Sequence, residues 1–210
     1  MWVGSSERNL HETFERARRA APCVLFLDEL DALGQKRSNL RNAPSMRATV
    51  NQLLLELDRA DRDNDGLFLL AASNQPWDVD PALRRPGRLD RTILVLPPDE
   101  AARFAILTAS LRNRPVQEGI DIRALAAATG GYSGADLAAI AESAAETALA
   151  ASVAQGVLRP ITAQDLDRAR REVRPSTGPW FETAQNVATF ANTSGEYDDL
   201  LVYLRTRKRR

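Results

Sequence analysis

Two adjacent carboxylates, Asp28 and Glu29, close the apolar run Val24-Leu25-Phe26-Leu27, and a third follows at Asp31. A short apolar run that ends in acid reads as a buried strand. Its tip emerges at the carboxyl edge of a parallel sheet, where open α/β sheets keep their ligands. There, one carboxylate can hold Mg²⁺ while the other polarises a water as general base. A second apolar run, residues 67–72, ends in Ser73-Asn74 and places an amide at the tip of a neighbouring strand. An amide orients a water without adding charge. The segment Asp80-Pro81-Ala82-Leu83-Arg84-Arg85-Pro86-Gly87-Arg88-Leu89-Asp90-Arg91 is then a dense basic turn with Pro and Gly punctuation. Arginine's planar, permanently charged fork matches the oxygens of a phosphoryl group whose charge is rising. Acid pair, amide and paired arginines, each placed after a strand, point to phosphoryl chemistry. Each piece also has a plainer reading: solvated acids in a turn for Asp28 and Glu29, salt bridges to Asp80 or Asp90 for Arg85 and Arg88.

The elements that must hold these residues follow from periodicity. Leu10, Phe14, Ala17 and Ala21 recur at helical spacing after Ser5-Ser6-Glu7, a helix start, and Pro22 closes that helix before the acid-bearing strand. Met46, Val50, Leu53, Leu54 and Leu57 mark a second helix, preceded by a polar loop over residues 35–44. Residues 92–96 read as a third strand, ended by Pro97-Pro98. Strands alternating with helices predict a parallel sheet with helices on its faces, an α/β unit over residues 1–98. From Asp99 the pattern is helical throughout, with helices over residues 101–111, 122–128, 135–154 and 162–173. This predicts a small all-helical domain over residues 99–172. Residues 173–210 carry Trp180-Phe181, Phe190, Tyr197 and Tyr203. There Tyr197, Leu200, Leu201 and Leu204 can form an amphipathic helix that docks on the body of the protein or on a neighbour. The basic residues from Arg205 onward read as cations at a helix carboxyl end.

These motifs, in this order, resemble the AAA ATPases, in the branch that includes spastin, katanin and the p97-like unfoldases. The string ending in Asp28-Glu29 is similar to the Walker B motif, Asn74 to sensor 1, and residues 74–91 to the second region of homology. Gly130-Gly131-Tyr132-Ser133-Gly134-Ala135-Asp136-Leu137 looks like the turn that opens a lid-domain helix beside the nucleotide. Met1-Trp2-Val3-Gly4 resembles the pore loop, whose aromatic residue grips an extended polypeptide. The resemblance implies a partial P-loop NTPase (AAA) domain, a helical lid and a C-terminal helical extension. It implies ATP and Mg²⁺ as ligands, a homo-oligomeric, hexameric ring and a polypeptide substrate. In it Asp28 holds the metal, Glu29 activates water, Asn74 orients that water or senses the γ-phosphate, and Arg85 with Arg88 reach the neighbouring subunit's nucleotide. Gly134 and Ala135 approach the adenine through backbone atoms, and Trp2 with Val3 contacts substrate. A plainer reading of the Gly134 turn is a helix start capped by Ser133 with no ligand.

No Gly-x-x-x-x-Gly-Lys-Ser/Thr stretch occurs in the 210 residues. Such a loop wraps backbone N–H groups around phosphates, and its Lys and hydroxyl complete the charge and metal contacts. The resemblance implies that the chain begins partway through the ATPase domain, with Met1 an internal methionine or a wrongly assigned start. It also implies that a central strand is lacking and that residues 1–98 are not stable alone, whereas residues 99–172 are. The expected function is that of an ATPase subunit, inactive in isolation. A non-hydrolysing module that lends arginines or its lid to intact homologues, and a gene fragment without function, are the alternatives.

Equal numbers of basic and acidic residues, 28 each, leave no electrostatic footprint for nucleic acid. The lone cysteine, Cys23, cannot form an internal disulfide, as suits a reducing compartment such as the cytoplasm. No segment is expected to span a membrane.

Overall fold

The computed structural model describes residues 5–58, 64–192 and 195–207. Two compact units divide the chain, Met1–Ile93 and Leu94–Arg210.

The first unit runs α1 (Ser5–Arg19), β1 (Cys23–Leu27), α2 (Leu30–Leu33), α3 (Pro44–Asp58) and β2 (Leu67–Ala71). Two 3₁₀ turns follow, at Pro76–Asp78 and Pro81–Arg84. β1 and β2 pair in parallel, from Cys23 opposite Leu67 to Leu27 opposite Ala71. Alternation sends Leu25, Leu27, Leu67, Leu69 and Ala71 toward the helices, into a core centred on Phe14, Val50, Leu53, Leu57 and Leu83. The opposite face, Val24, Phe26, Phe68 and Leu70, is 61%, 52%, 64% and 48% exposed. Residues 92–96, predicted as a third strand, have no regular structure, and Ile93 and Val95 are exposed. Their apolar, β-branched composition is strand-like, but a strand exists only where a neighbour takes its backbone groups, and no described strand lies beside them.

A buried carboxylate that helical periodicity does not reveal fixes α1 on α3. Glu56 has no exposed surface. Its carboxylate accepts from His11 Nδ1 at 2.7 Å, Arg18 at 2.7 Å and Gln52 at 2.6 Å. Arg18 also bonds Asn64, whose amide in turn donates to the Glu56 carbonyl. Burial pushes the Glu56 carboxyl up, but the bonds from His11, Arg18 and Gln52 outweigh it and hold the group below the usual range. Farther along, a Cβ on Gly34 would lie 2.4 Å from the end of the Leu83 side chain, so a larger residue where α2 meets the second 3₁₀ turn would force Leu83 to shift.

The second unit is helical: α4 (Glu100–Leu111), α5 (Ile122–Ala128), α6 (Gly134–Gln155), α7 (Ala163–Glu172), α8 (Thr177–Phe190) and α9 (Asp198–Arg207). Four of these starts are capped by the residue types that favour caps: Asp99, Asp121, Ser133 and Thr162 each accept a bond from a first-turn amide. The core joins Leu107 and Leu111 of α4 to Leu137, Ile140, Ala141 and Ala144 of α6 and Leu166 of α7. α6 is long and apolar enough by composition to cross a bilayer, against the expectation of no such segment. Its alanines account for this, and in the structure they let α4 and α7 pack closely on it. α9 docks on α8, burying Leu200 and Leu204 and stacking Tyr203 on Phe181 at 5.6 Å.

Arg159 forks onto Asp165 at 2.8 and 3.0 Å, and Thr162 adds two more bonds. Burial raises the Asp165 carboxyl, but these partners outweigh it and bring the pKa down to about 2. That stabilisation is complete above the ordinary carboxylate range and disappears as pH falls through about 2. Asp165→Asn is therefore expected to cost about 2 kcal/mol at pH 7 in urea denaturation. The difference from the native chain should shrink toward pH 2, and a pH-independent difference would refute the assignment. For the first unit, with one bare sheet face, amides of Leu25, Leu27 and Leu69 are expected to exchange at least about a hundredfold faster than those of α6. Comparable protection in both units would overturn that expectation.

Candidate functional site

Parallel register brings the two strand tips together. Leu27 opposite Ala71 is the last strand pair, and the ladder continues one step as Ala72 N–H donates to the Leu27 carbonyl at 2.9 Å. Leu30 N–H then donates to the Ala72 carbonyl at 2.8 Å. Asp28 and Glu29 are therefore held beside Ser73 and Asn74, and all but Ser73 are exposed. Ser73 Oγ bonds Asp31 at 2.5 Å and accepts from Gln75 N–H at 3.0 Å, which ties the tip of β2 to the first turn of α2.

Glu29 sits at φ 51°, ψ 49°, the left-handed region, where every other described residue of positive φ is glycine. The conformation costs a non-glycine residue about 1–2 kcal/mol. It persists because its neighbours hold it: Glu29 N–H donates to Asp28 Oδ1 at 2.9 Å, its carbonyl opens α2, and Leu30 is buried beyond it. Backbone strain of this kind concentrates at functional sites.

The basic turn is anchored by Asp80, which is 4% exposed. Its carboxylate accepts from Arg37 Nε at 2.8 Å, from Arg37 N–H at 3.2 Å and from Ala82 N–H at 2.9 Å. Burial raises this carboxyl, and these bonds more than reverse the effect. The two arginines differ. Arg88 Nε donates to Asp58 at 2.6 Å and its NH1 to the Ala82 carbonyl at 2.5 Å, so its acidic partner is Asp58 rather than Asp80 or Asp90. Arg85 is exposed and has no ion-pair partner among the described residues.

Gly134 and Ala135 open α6 in the second unit. A Cβ added to Gly134 would meet only Ile106, at an ordinary 3.9 Å, so internal packing does not demand glycine there. Trp2 and Val3 lie outside the described residues. Among the described residues no three His, Cys, Asp or Glu side chains cluster as a metal cage. Mg²⁺ needs none: one or two carboxylates suffice when waters and phosphates complete its octahedron, a demand the exposed Asp28 fits. Shallow, open hollows lie along α1, at His11 and Arg16, and along α7, at Arg168 and Arg171, and no predicted site residue lines either.

The profile of the "ATPase family associated with various cellular activities (AAA)" matches residues 1–96, and that of the "AAA+ lid domain" matches residues 119–167. The chain belongs to the AAA ATPase family. This AAA chain is 40% identical over 185 residues to a cell division cycle protein 48 homolog of Archaeoglobus fulgidus, a match covering 83% of the chain and 25% of the relative. It is likewise 40% identical over 149 residues to a putative cell division cycle ATPase of Plasmodium falciparum, covering 71% of the chain and 12% of the relative. The chain thus spans a quarter or less of these relatives' lengths. Its fold is a partial α/β AAA domain with a helical lid, and the family implies nucleotide binding, typically with Mg²⁺.

The strain at Glu29 can be read directly. Glu29→Gly removes the Cβ clash and is expected to slow amide exchange at Leu30 and Ala72 about fivefold, equivalent to about 1 kcal/mol. Faster exchange in this variant would mean that the side chain, not the surrounding bonds, holds the turn.

Proposed function

We propose that the chain is the hydrolytic and lid portion of an AAA ATPase that couples ATP hydrolysis to remodelling or threading of a polypeptide by a cytoplasmic ring. The observation that carries this reading is the juxtaposition of Asp28-Glu29 with Asn74 at the paired tips of β1 and β2. In it Asp28 holds Mg²⁺, which when bound neutralises phosphate charge. Glu29, lifted clear of the sheet by its left-handed turn, takes the proton of the attacking water, and Asn74 orients that water or senses the γ-phosphate. The phosphate loop that this reading requires is not among the 210 residues. Arg85 reaches the nucleotide of the neighbouring subunit as it stands, and Arg88 does so on exchanging Asp58 for phosphate. An arginine given in trans requires a head-to-tail ring, hexameric in this reading, and Trp2 with Val3 grips the threaded chain. Gly134 and Ala135 present backbone to the adenine, an approach that the open space around Gly134 supports.

A second reading, donation of arginine without hydrolysis, is favoured by the basic turn being fully anchored within the first unit while no phosphate loop occurs in the 210 residues.

The first reading is tested by grafting the chain in place of the matching 185 residues of the Archaeoglobus homolog. The chimera should hydrolyse ATP, with Glu29→Gln lowering kcat about 10²–10⁴-fold and Arg85→Ala about 10³-fold. Undiminished activity in Glu29→Gln sinks the general-base role. The second reading predicts that the free 210-residue chain restores hydrolysis to homolog rings stripped of their own arginines, and that Arg85→Ala abolishes the rescue. Tight, Mg²⁺-dependent ATP binding by the free chain would contradict both readings.

A further inference from the structure

Ser176 is the N-cap residue of α8, yet its hydroxyl makes no capping bond to its own helix. It donates instead to Asp136 Oδ2 at 3.0 Å, and its backbone N–H donates to the same oxygen at 3.0 Å. Asp136, 8% exposed, lies in the first turn of α6, two residues beyond Gly134. The same oxygen accepts from Ser133 N–H at 2.8 Å, while Ser133 Oγ accepts from Asp136 N–H at 3.1 Å and stands 3.2 Å from Ser176 Oγ. The next residue repeats the pattern: Thr177 Oγ1 donates to the Gly131 carbonyl at 2.6 Å, at a glycine with φ 86°. From the other side, Tyr132 OH is within hydrogen-bond reach of the Arg170 and Val173 carbonyls. Three consecutive residues of the turn, and Asp136 after it, are thus held by the 170–177 connection.

We infer that Ser176 and Thr177 are positioning residues for the nucleotide-facing turn, so that the connection into α8 fixes the shape in which residues 131–136 present the Gly134 and Ala135 backbone. This rests on the reading of those two residues as adenine-facing. The physical reason is an allocation of donors. Ser133 Oγ is committed to Asp136 N–H, so the earlier amides of α6 have no cap and remain available to a ligand. Their direction is then set by the Ser133–Asp136 box, and that box shares its carboxylate oxygen with Ser176. A hydroxyl that capped α8 would stabilise α8 alone; directed to Asp136, it links the α8–α9 hairpin to the turn, and displacement of α8 alters the turn.

Amide exchange resolved by residue, on the 210-residue chain without nucleotide, tests this independently of adenine contact. Ser176→Ala should speed exchange at Ser133 and Asp136 about tenfold while residues 140–148 stay within about twofold, and Ser176→Thr should restore the native rates. A bond that serves only to anchor α8 would loosen residues 182–190 and leave Ser133 and Asp136 unchanged, and that result overturns the inference. If Ser176→Ala unfolds the unit, Thr177→Val, which removes only the bond to Gly131, must raise exchange at Tyr132 about fivefold; an unchanged rate there counts equally against it.

Discussion

The parallel register of β1 on β2 is the constraint from which the rest of the candidate site follows. Both strands end at the same edge because Leu27 lies opposite Ala71. A slip of one residue would invert every side chain, sending Leu25 and Leu27 away from Phe14 and the α3 leucines. Apolar burial therefore selects the register, and the register delivers Asp28, Glu29 and Asn74 to one place. The polar residues do not have to find each other; the core brings them together. What they add is local: the Ser73–Asp31 bond and the left-handed turn at Glu29 settle how the tips leave the sheet.

The same sheet shows the limit of that selection. Two strands packed on α1 and α3 satisfy one face, whereas Val24, Phe26, Phe68 and Leu70 face solvent on the other. Parallel sheets are stable when both faces are covered, so these four side chains are suited to burial that the described residues do not provide. Residues 92–96 suffer from the same shortage. They have the composition of a strand and the surroundings of a loop.

Much of the fold was legible in the sequence because its signals are local. Helical pattern over residues 101–111, 122–128, 135–154 and 162–173 marks the helices of the second unit, and the apolar runs 24–27 and 67–72 mark the two strands. Residues 92–96 differ from the expected strand because an apolar, β-branched run records what a strand is made of and not whether a partner exists. Glu56 is hidden in the sequence for the opposite reason. It sits among Leu53, Leu54 and Leu57, where helical periodicity assigns a carboxylate to solvent, and only the distant His11 and Arg18 make its burial tolerable. At the site, residue types were legible but partners were not. Arg85 and Arg88 are indistinguishable in the string, and it takes Asp58, thirty residues upstream, to separate an anchored arginine from an exposed one. Ser176 was unreadable in the same way, since a serine before a helix is ordinarily that helix's own cap.

Four buried carboxylates, Glu56, Asp80, Asp136 and Asp165, perform one task that apolar packing cannot. Hydrophobic contact is non-directional and fixes which faces meet, but it leaves a loop free to settle in several nearby conformations. A carboxylate with three or four donors around it has a narrow optimum of distance and angle, and it is costly to leave unpaired. Each of the four pins a connection onto a helix or a helix start: the α1–α3 seam, the basic turn, the α6 turn and the entry to α7. In each, burial alone would raise the carboxyl, and the donors hold it below its ordinary range. Replacing such groups by well-packed apolar residues can preserve stability, so their contribution is better understood as conformational specificity. Two of them, Asp80 and Asp136, hold the very segments that carry Arg85 and Gly134. The segments proposed to meet nucleotide are therefore shaped by buried charge, while the cores beneath them are set by hydrocarbon.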